Sequence, residues 1–521
     1  MMPNRFDATL CRAGGERGVS LLTAVVMVLI VTAFTGVMFS LSLAETQSAV
    51  HGLDKVAATS AAEGATQIAA NAIREAAARW TPLTSPSSAQ VTIGGRPASY
   101  SIVPIGTPYT GTGTNGLSTT FRRYAITGKA SVGVASSTVS RVVQIAVSHL
   151  FQFGVFYDGD LEVLPGPAMT FSGRIHSNRD MYVACNNSLL IDTTYCRAAG
   201  SIYRHRKNDP GYPPGDVDVL VNGSPGTYRE WDPSLESTRP TFPTDVINEF
   251  GGTVQGGANG VTKLTVPSLE STAPGGYYDL NAGLSIKDGR AYSGGLDVTA
   301  ALTASGALSE KSLYDARENK TVALTQIDVS KLGAYFPANG LIYAKRPAST
   351  SQPDGIRITG ASTLPQGLTL VSPNPVYVWK DFNTVQKKPA AVICDALNLL
   401  SNAWNDTKKA NSSLPRASST TYNLSFVTGN TNSDPATGQY SGGLENLPRF
   451  HENWSGKTCT LNGSFACLWN SAVAQAKWVY GGKVYQAPIR NWSYDPQLLT
   501  GALPPFTPQS VRISTSGYVE D

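Results

Sequence analysis

Residues Val19 to Ala44 form an uninterrupted run of twenty-six residues without a charge, and this run constrains the chain more than any other stretch. A helix of roughly 20 apolar residues spans the hydrocarbon core of a bilayer, so the run is long enough to cross. Arg5, Arg12 and Arg17 precede it, against Asp7 and Glu16, while Glu45 is the first charge beyond it and Lys55 the first Lys or Arg. Basic residues gathered on the N-terminal side predict a cytoplasmic N-terminus, a single pass and an exported body. The helical pattern continues past the membrane. From Glu45 to Trp80 there is no proline, alanine is abundant, and Val50, Leu53, Ala57, Ala61, Ala65, Ile68, Ala72 and Ile73 recur near helical spacing until Pro82. One helix from Val19 to Trp80 would run roughly 90 Å. A cleaved export signal ending at Ser42-Leu43-Ala44 would need a shorter apolar core, about 7–15 residues. A plain anchor gives no reason for the helix to go on.

The residues around the start of this run carry a resemblance. Gly14-Gly15-Glu16-Arg17-Gly18 followed by Val19-Ser20-Leu21-Leu22 resembles the processing site of type IV prepilins, and ERGVSLL before an uncharged helix is most similar to the PilX-type minor pilins. The resemblance implies a leader of residues 1–18, cut by a prepilin peptidase after Gly18 to leave Val19 as the mature N-terminus. It further implies packing of the helix among other pilin or pseudopilin subunits, from a bacterial inner membrane into a pilus or related secretion apparatus at the cell surface. Thr23 departs from the pattern, since many pilins carry glutamate at that place, and the loss points to a low-copy or initiating subunit.

Composition describes the rest. With 50 glycines, 32 prolines and only 15% charged residues in 521, the chain favours many short elements joined by turns over a helical enzyme. Its net charge of +4 includes no run of Lys or Arg, so nothing indicates nucleic acid as a partner. Six cysteines occur. Cys185 with Cys196, and Cys459 with Cys467, are close pairs expected to form disulfides in an oxidising compartment. Cys11 lies in the leader, and Cys394 reads as a buried thiol.

The expected fold is mainly β with one long N-terminal α-helix. Residues 19–150 read as a pilin-like module: a helix over 19–80, then short antiparallel strands between 90 and 150 at Gln90–Ile93, Tyr100–Val103, Phe121–Gly128 and Val139–Ser148, with a polar loop over 104–120. Residues 151–521 form a large β-rich body. Runs such as GLIYA (340–344), GIRIT (355–359), GLTLV (367–371), PVYVW (375–379) and AVIC (391–394) recur about every dozen residues. That texture predicts a β-solenoid, with a two-sheet sandwich as the alternative. A Pro-rich segment, 203–245, reads as a surface excursion. The stretches GDLEVLPGPAMTFSGRIHSN, LYDARENKTVALTQIDVSKL and GGLENLPRFHENW resemble large exported domains that follow PilX-type N-termini, which implies export and no particular chemistry.

The candidates for chemistry are few. Asp158, Asp160 and Glu162, near His176 and Asp180, are spaced i, i+2, i+4 and could bind calcium if they shared a strand face; a turn at Asp158-Gly159-Asp160 is the simpler reading. Asn430, Asn432 and Asp434 make an oxygen-rich loop without the terminal glutamate of an EF-hand. Arg357 is an outward arginine if GIRIT is a strand. Trp379, Trp404, Trp454, Trp469, Trp478 and Trp492 crowd the last third, and His451 sits among them as a packed residue. No GxSxG, HExxH, P-loop or GxGxxG placed between strand and helix occurs. No enzyme activity and no cofactor is therefore expected, and assembly through the helix is the leading function. The competing class is a surface-anchored, carbohydrate-binding or carbohydrate-active β-helix protein.

Overall fold

The computed structural model describes residues 16–78, 87–113, 116–347 and 353–520. Its first element is a single helix, α1 (Glu16–Ala78), of 63 residues. It begins three residues before the expected start; Cys11, Gly14, Gly15, Trp80 and Pro82 lie outside the described residues. The second half of α1 packs on a five-stranded antiparallel sheet. Four strands follow in order, Ser87–Ile93, Arg96–Thr112, Ser118–Val132 and Ala135–His149, and the fifth is the C-terminal strand Gln509–Glu520, paired with Ala135–His149. The expected loop over 104–120 is largely strand, because Ile105 and Tyr109 continue the pairing across a bulge to Thr112 opposite Ser118. Gly94 and Gly95, with φ of 55° and 78°, supply the left-handed turn that joins the first two strands.

The helix face in contact with the sheet is only partly the expected one. Val50, Leu53 and Ile68 are exposed, while Ala61, Ala65 and Ile73 are buried as expected, together with the alanines Ala58, Ala62 and Ala69. Close approach is the reason. A side chain at Gly128 of the sheet would strike the carbonyl oxygen of Ala62, so the two surfaces meet backbone to backbone and only small residues fit between them.

The body is a parallel β-solenoid, which excludes the sandwich. Its coils present three faces, and strands of successive coils stack in parallel. The first arm begins at Phe153–Tyr157, Leu161–Val163 and Met169–Ser172, and two further coils stack on it so that Val155, Ile175, Cys196 and Val254 form one inward column. Part of the expected excursion is in fact the third coil: Asp216–Leu220 stacks in register on Ser188–Asp192, with Arg204 and Trp231 buried beside it. The proline-rich turns disguise a short strand whose Val217 and Val219 face inward.

After the helix Phe242–Phe250 and the strand Val254–Gln255, residues 256–283 carry the chain to the opposite end, where a second arm begins at Leu284–Lys287. This arm grows back through Leu341–Lys345, Leu368–Ser372, Ala390–Cys394 and Ser425–Asn430 to Phe465–Asn470, which pairs in parallel with Phe153–Tyr157. The two arms thus meet in mid-solenoid as one twelve-stranded sheet. Phe426 stacks on Phe465 at 5.2 Å in the inward column beside this junction. The outer side of the sheet is apolar too: Phe156, Tyr343, Ile393 and Leu468 lie under Leu264, Tyr277, Leu503 and Phe506 of the segments that cross it.

The expected disulfides do not form. Cys185, Cys196, Cys394, Cys459 and Cys467 are all free and buried. Cys196 occupies the inward column with its sulfur 3.6 Å from that of Met181, whereas the Cys185 thiol turns to the Asp216 carbonyl at 3.1 Å. Cys459 and Cys467 sit on strands of different faces, Thr458–Gly463 and Phe465–Asn470. Burial pushes the Cys196, Cys459 and Cys467 thiols up to about 12, which holds them protonated and unreactive.

Candidate functional site

Two surfaces carry functional potential: the N-terminal half of α1 and a cleft where the solenoid arms join. In the helix, every large apolar side chain from Val19 to Leu43 is between 45% and 70% exposed. The polar side chains of this half hide their hydroxyls against the helix backbone. Thr23 donates to the carbonyls of Val19 at 2.8 Å and Ser20 at 3.0 Å, Thr32 to Val28 and Thr35 to Val31, both at 2.6 Å, and Ser40 to Val37 at 2.8 Å. With these groups satisfied internally, the segment presents an uncharged cylinder long and apolar enough to cross a membrane. Thr23 brings no charge into that cylinder.

The arm junction is built by hydrogen bonds as well as by strand pairing. Asp158 N–H donates to the Cys467 carbonyl at 2.9 Å, extending the ladder by one residue. On the next face, Leu164 N–H donates to Glu445 at 3.2 Å and Ser441 donates to Glu162 Oε1 at 3.0 Å. Beyond the paired strands, the turn 158–160 of one arm and the loop 430–434 of the other diverge around a cleft of about 610 Å³. Two candidates that lie far apart in sequence, the acidic trio and the oxygen-rich loop, therefore line one cavity, with Arg179, Lys207, Trp469 and Asn470 completing it.

The carboxylates of the trio do not converge on a shared ion. Asp158 accepts from Asn178 at 2.6 Å, Asp160 pairs with Lys207 at 2.7 Å, and Glu162 belongs to Ser441. Asp158 and Asp160 occupy the turn and the strand begins only at Leu161, so the i, i+2, i+4 spacing never becomes a strand face. Among the described residues no group of three His, Cys, Asp or Glu is placed to hold a metal ion. Glu162 is 4% exposed, and burial raises its pKa, with the Ser433 and Ser441 hydroxyls opposing. Burial also pushes Glu445 up to about 7, against the pull of Arg490.

The remaining candidates are structural. His176 is fully buried, stacked on Phe156 at 5.4 Å and within 3.1 Å of the Asn178 amide oxygen. Burial drives it down to about 4, so it is neutral. Asn178 in turn clamps the crossing segment, accepting from Leu264 N–H at 2.8 Å and donating to its carbonyl at 2.7 Å. Asp180 accepts from Ser201 N–H. Arg357 is 1% exposed rather than solubilising: it forms a bidentate pair with Asp406 at 2.6 and 3.0 Å and lies 4.6 Å over the Trp379 ring. Its side chain is held beneath Asp406, which explains why a strand arginine is hidden. His451 is buried against Asp315 and Asn398. Trp404, Trp454 and Trp492 are buried, and Trp469 and Trp478 are half-buried. Glu445 and Ser441 were not legible as site residues. Their one local signal is Gly442-Gly443, with φ of 98° and 71°, where the chain turns sharply toward the junction.

No family model matches the chain, and no curated protein matches it. Among solved structures, the chain is similar to the competence-associated pilin ComZ from Thermus thermophilus, at 8% identity and a TM-score of 0.25, over 90% of this chain and 98% of that one.

Proposed function

We propose that this chain is a pilin-like structural subunit, anchored in the bacterial inner membrane by the first half of α1 and assembled through it with other pilin or pseudopilin subunits. The observation that supports this most is the division of one helix into two surfaces. Its first half is uncharged and exposed all round, and its second half is an alanine face pressed on a small antiparallel sheet. A plain anchor needs only the first half. A subunit that packs its apolar helix against like helices, while a rigid head carries a large body outward, uses both.

In this reading a prepilin peptidase cuts after Gly18, Val19 becomes the N-terminus, and the solenoid faces outward from a pilus or related secretion apparatus. Thr23 stands where many pilins carry glutamate, and that loss suits a low-copy or initiating place. The test is the N-terminal residue of protein isolated from its native host. Val19 is the expected result; Glu45 or an intact Met1 overturns the processing, and absence of the protein from sheared filaments overturns the assembly.

A further inference from the structure

We propose that the cleft at the arm junction is a binding site for a neutral oligosaccharide. The site is independent of what the N-terminal helix does. An acidic turn alone would carry no such reading, but two buried polar atoms of residues in the cleft wall make no hydrogen bond. Glu162, 4% exposed, has no hydrogen bond at Oε2, and Tyr157, 3% exposed, has none at its hydroxyl. A buried polar atom without a hydrogen bond is unfavourable, so this wall favours a ligand that brings hydroxyl groups.

The lining selects the ligand's chemistry. Asp158, Asp160, Glu162 and Asp434 outnumber Arg179 and Lys207, and Lys207 is already paired with Asp160, which disfavours an anion. A bare cation finds no cluster of ligands, as shown above. An apolar peptide side chain finds no apolar pocket, since Asn430, Asn432, Gln439 and Asn470 supply amides around the rim. A sugar hydroxyl donates and accepts at once, and adjacent hydroxyls suit carboxylates and side-chain amides together. Trp469 adds a partly exposed aromatic surface: it is half-buried, and its ring is held by a 3.2 Å hydrogen bond from Nε1 to the Cys394 carbonyl. A fixed ring beside convergent polar groups is how a site grips the apolar face and the hydroxyl edge of one sugar. The cavity, about 610 Å³, falls within the range of small-molecule sites.

The test uses the full chain in a sugar-free detergent, titrated with cellotetraose, chitotetraose and maltotetraose by calorimetry and tryptophan fluorescence. Tetragalacturonate and calcium chloride serve as the charged probes. Saturable binding of at least one neutral probe is expected. Asn432→Ala with Asn470→Ala, both exposed, should weaken it about tenfold or more without changing the melting temperature. Glu162→Gln should weaken it too. Failure of all three neutral probes to saturate at millimolar concentration overturns the proposal. So does neutral-probe binding that these variants leave unchanged, or binding of tetragalacturonate or calcium alone at the cleft.

Discussion

The helix–sheet module and the solenoid bury side chains of opposite size. Between α1 and its sheet the helix side of the core is mostly alanine, Ala58, Ala61, Ala62, Ala65, Ala69 and Ala70, with Gly128 opposite at the closest approach and Ile102, Ile126 and Val143 filling the sheet side further along. Inside the solenoid the column is Leu284, Ile342, Leu370, Val392, Phe426 and Phe465, continued by Val155. Geometry accounts for the difference. A helix laid flat on a sheet gains most by close approach, which small residues permit. A coil stacks on its neighbour at a backbone spacing of about 4.8 Å, and the lumen between three faces must then be filled by large side chains. The module is consequently sensitive to added volume and the solenoid to lost volume.

The largest expected effect is a deletion in the solenoid. Phe465→Ala empties the column at the arm junction, beside Phe426 and within 5.6 Å of the Trp492 ring. A loss of about 3–5 kcal/mol is expected in chemical denaturation, with the solenoid transition shifted and the module's unaffected. A loss below about 1 kcal/mol would mean that the junction collapses freely and that the two arms are not one packed core. The reverse change tests the module. Gly128→Val places a side chain against the Ala62 carbonyl oxygen and Thr66, where backbone cannot yield as a flexible side chain would. Overpacking should cost about 1–3 kcal/mol and expose the alanine face of α1 to protease, while the same substitution at the open Gly52 does neither. Equal protease resistance in both variants would refute the close-packing account.

A smaller effect separates the regions by charge. The solenoid buries Glu445 and Glu452, raised by burial to about 7, together with His176 and His451, lowered by burial to about 4. A carboxyl raised from 4.5 favours folding at low pH, and its contribution fades as pH rises from about 4.5 to 7. A histidine lowered from 6.5 acts the other way, so its contribution fades as pH falls from about 6.5 to 4. The two slopes oppose each other between about pH 4.5 and 6.5. Glu452→Gln keeps an acceptor for Ser401 and removes one opposing carboxyl. Stability measured against pH in that window should then climb more steeply with pH than in the parent, by up to about 1.4 kcal/mol per unit. An unchanged slope would show that Glu452 is ionised in the fold.

How much of this was legible follows the range of the interactions involved. The helix was readable because the uncharged run and the missing prolines are local, and its packed face was readable in part: Ala61, Ala65 and Ile73 pack as their spacing suggests, but Val50 and Leu53 fit the same periodicity and stay exposed. The short strands of the coils were readable from their β-prone runs, and their parallel stacking was anticipated in kind. Nothing local could show that Phe465 would lie beside Val155, since that pairing joins residues from opposite ends of the body. For the same reason the cleft escaped notice: its two halves, 158–162 and 430–434, were each visible as polar turns and meaningless apart. Cysteine spacing misled because proximity along a coil differs from proximity in space. Cys459 and Cys467 are eight positions apart, yet the coil turns a corner between them. The strand Gln509–Glu520 was missed because its apolar side shows only Val511 and Ile513 before polar residues follow, and its partner lies in the module.

The smallest expected effect is the one that most sharply divides the two halves of α1. Phe34 and Phe39 are 69% and 67% exposed. Phe34→Ala with Phe39→Ala should therefore leave the melting of module and solenoid within about 0.5 kcal/mol of the parent, the usual range for surface changes. In the native host the same pair removes a large part of the apolar surface offered to neighbouring helices, so the protein should fall in the sheared filament fraction while its total level holds. A stability loss above about 1 kcal/mol would mean that the first half of α1 packs on its own body. Unchanged recovery in filaments would mean that these rings are not part of the assembly surface, and the contact would then have to run along the Leu22, Leu29 and Val25 side of the helix.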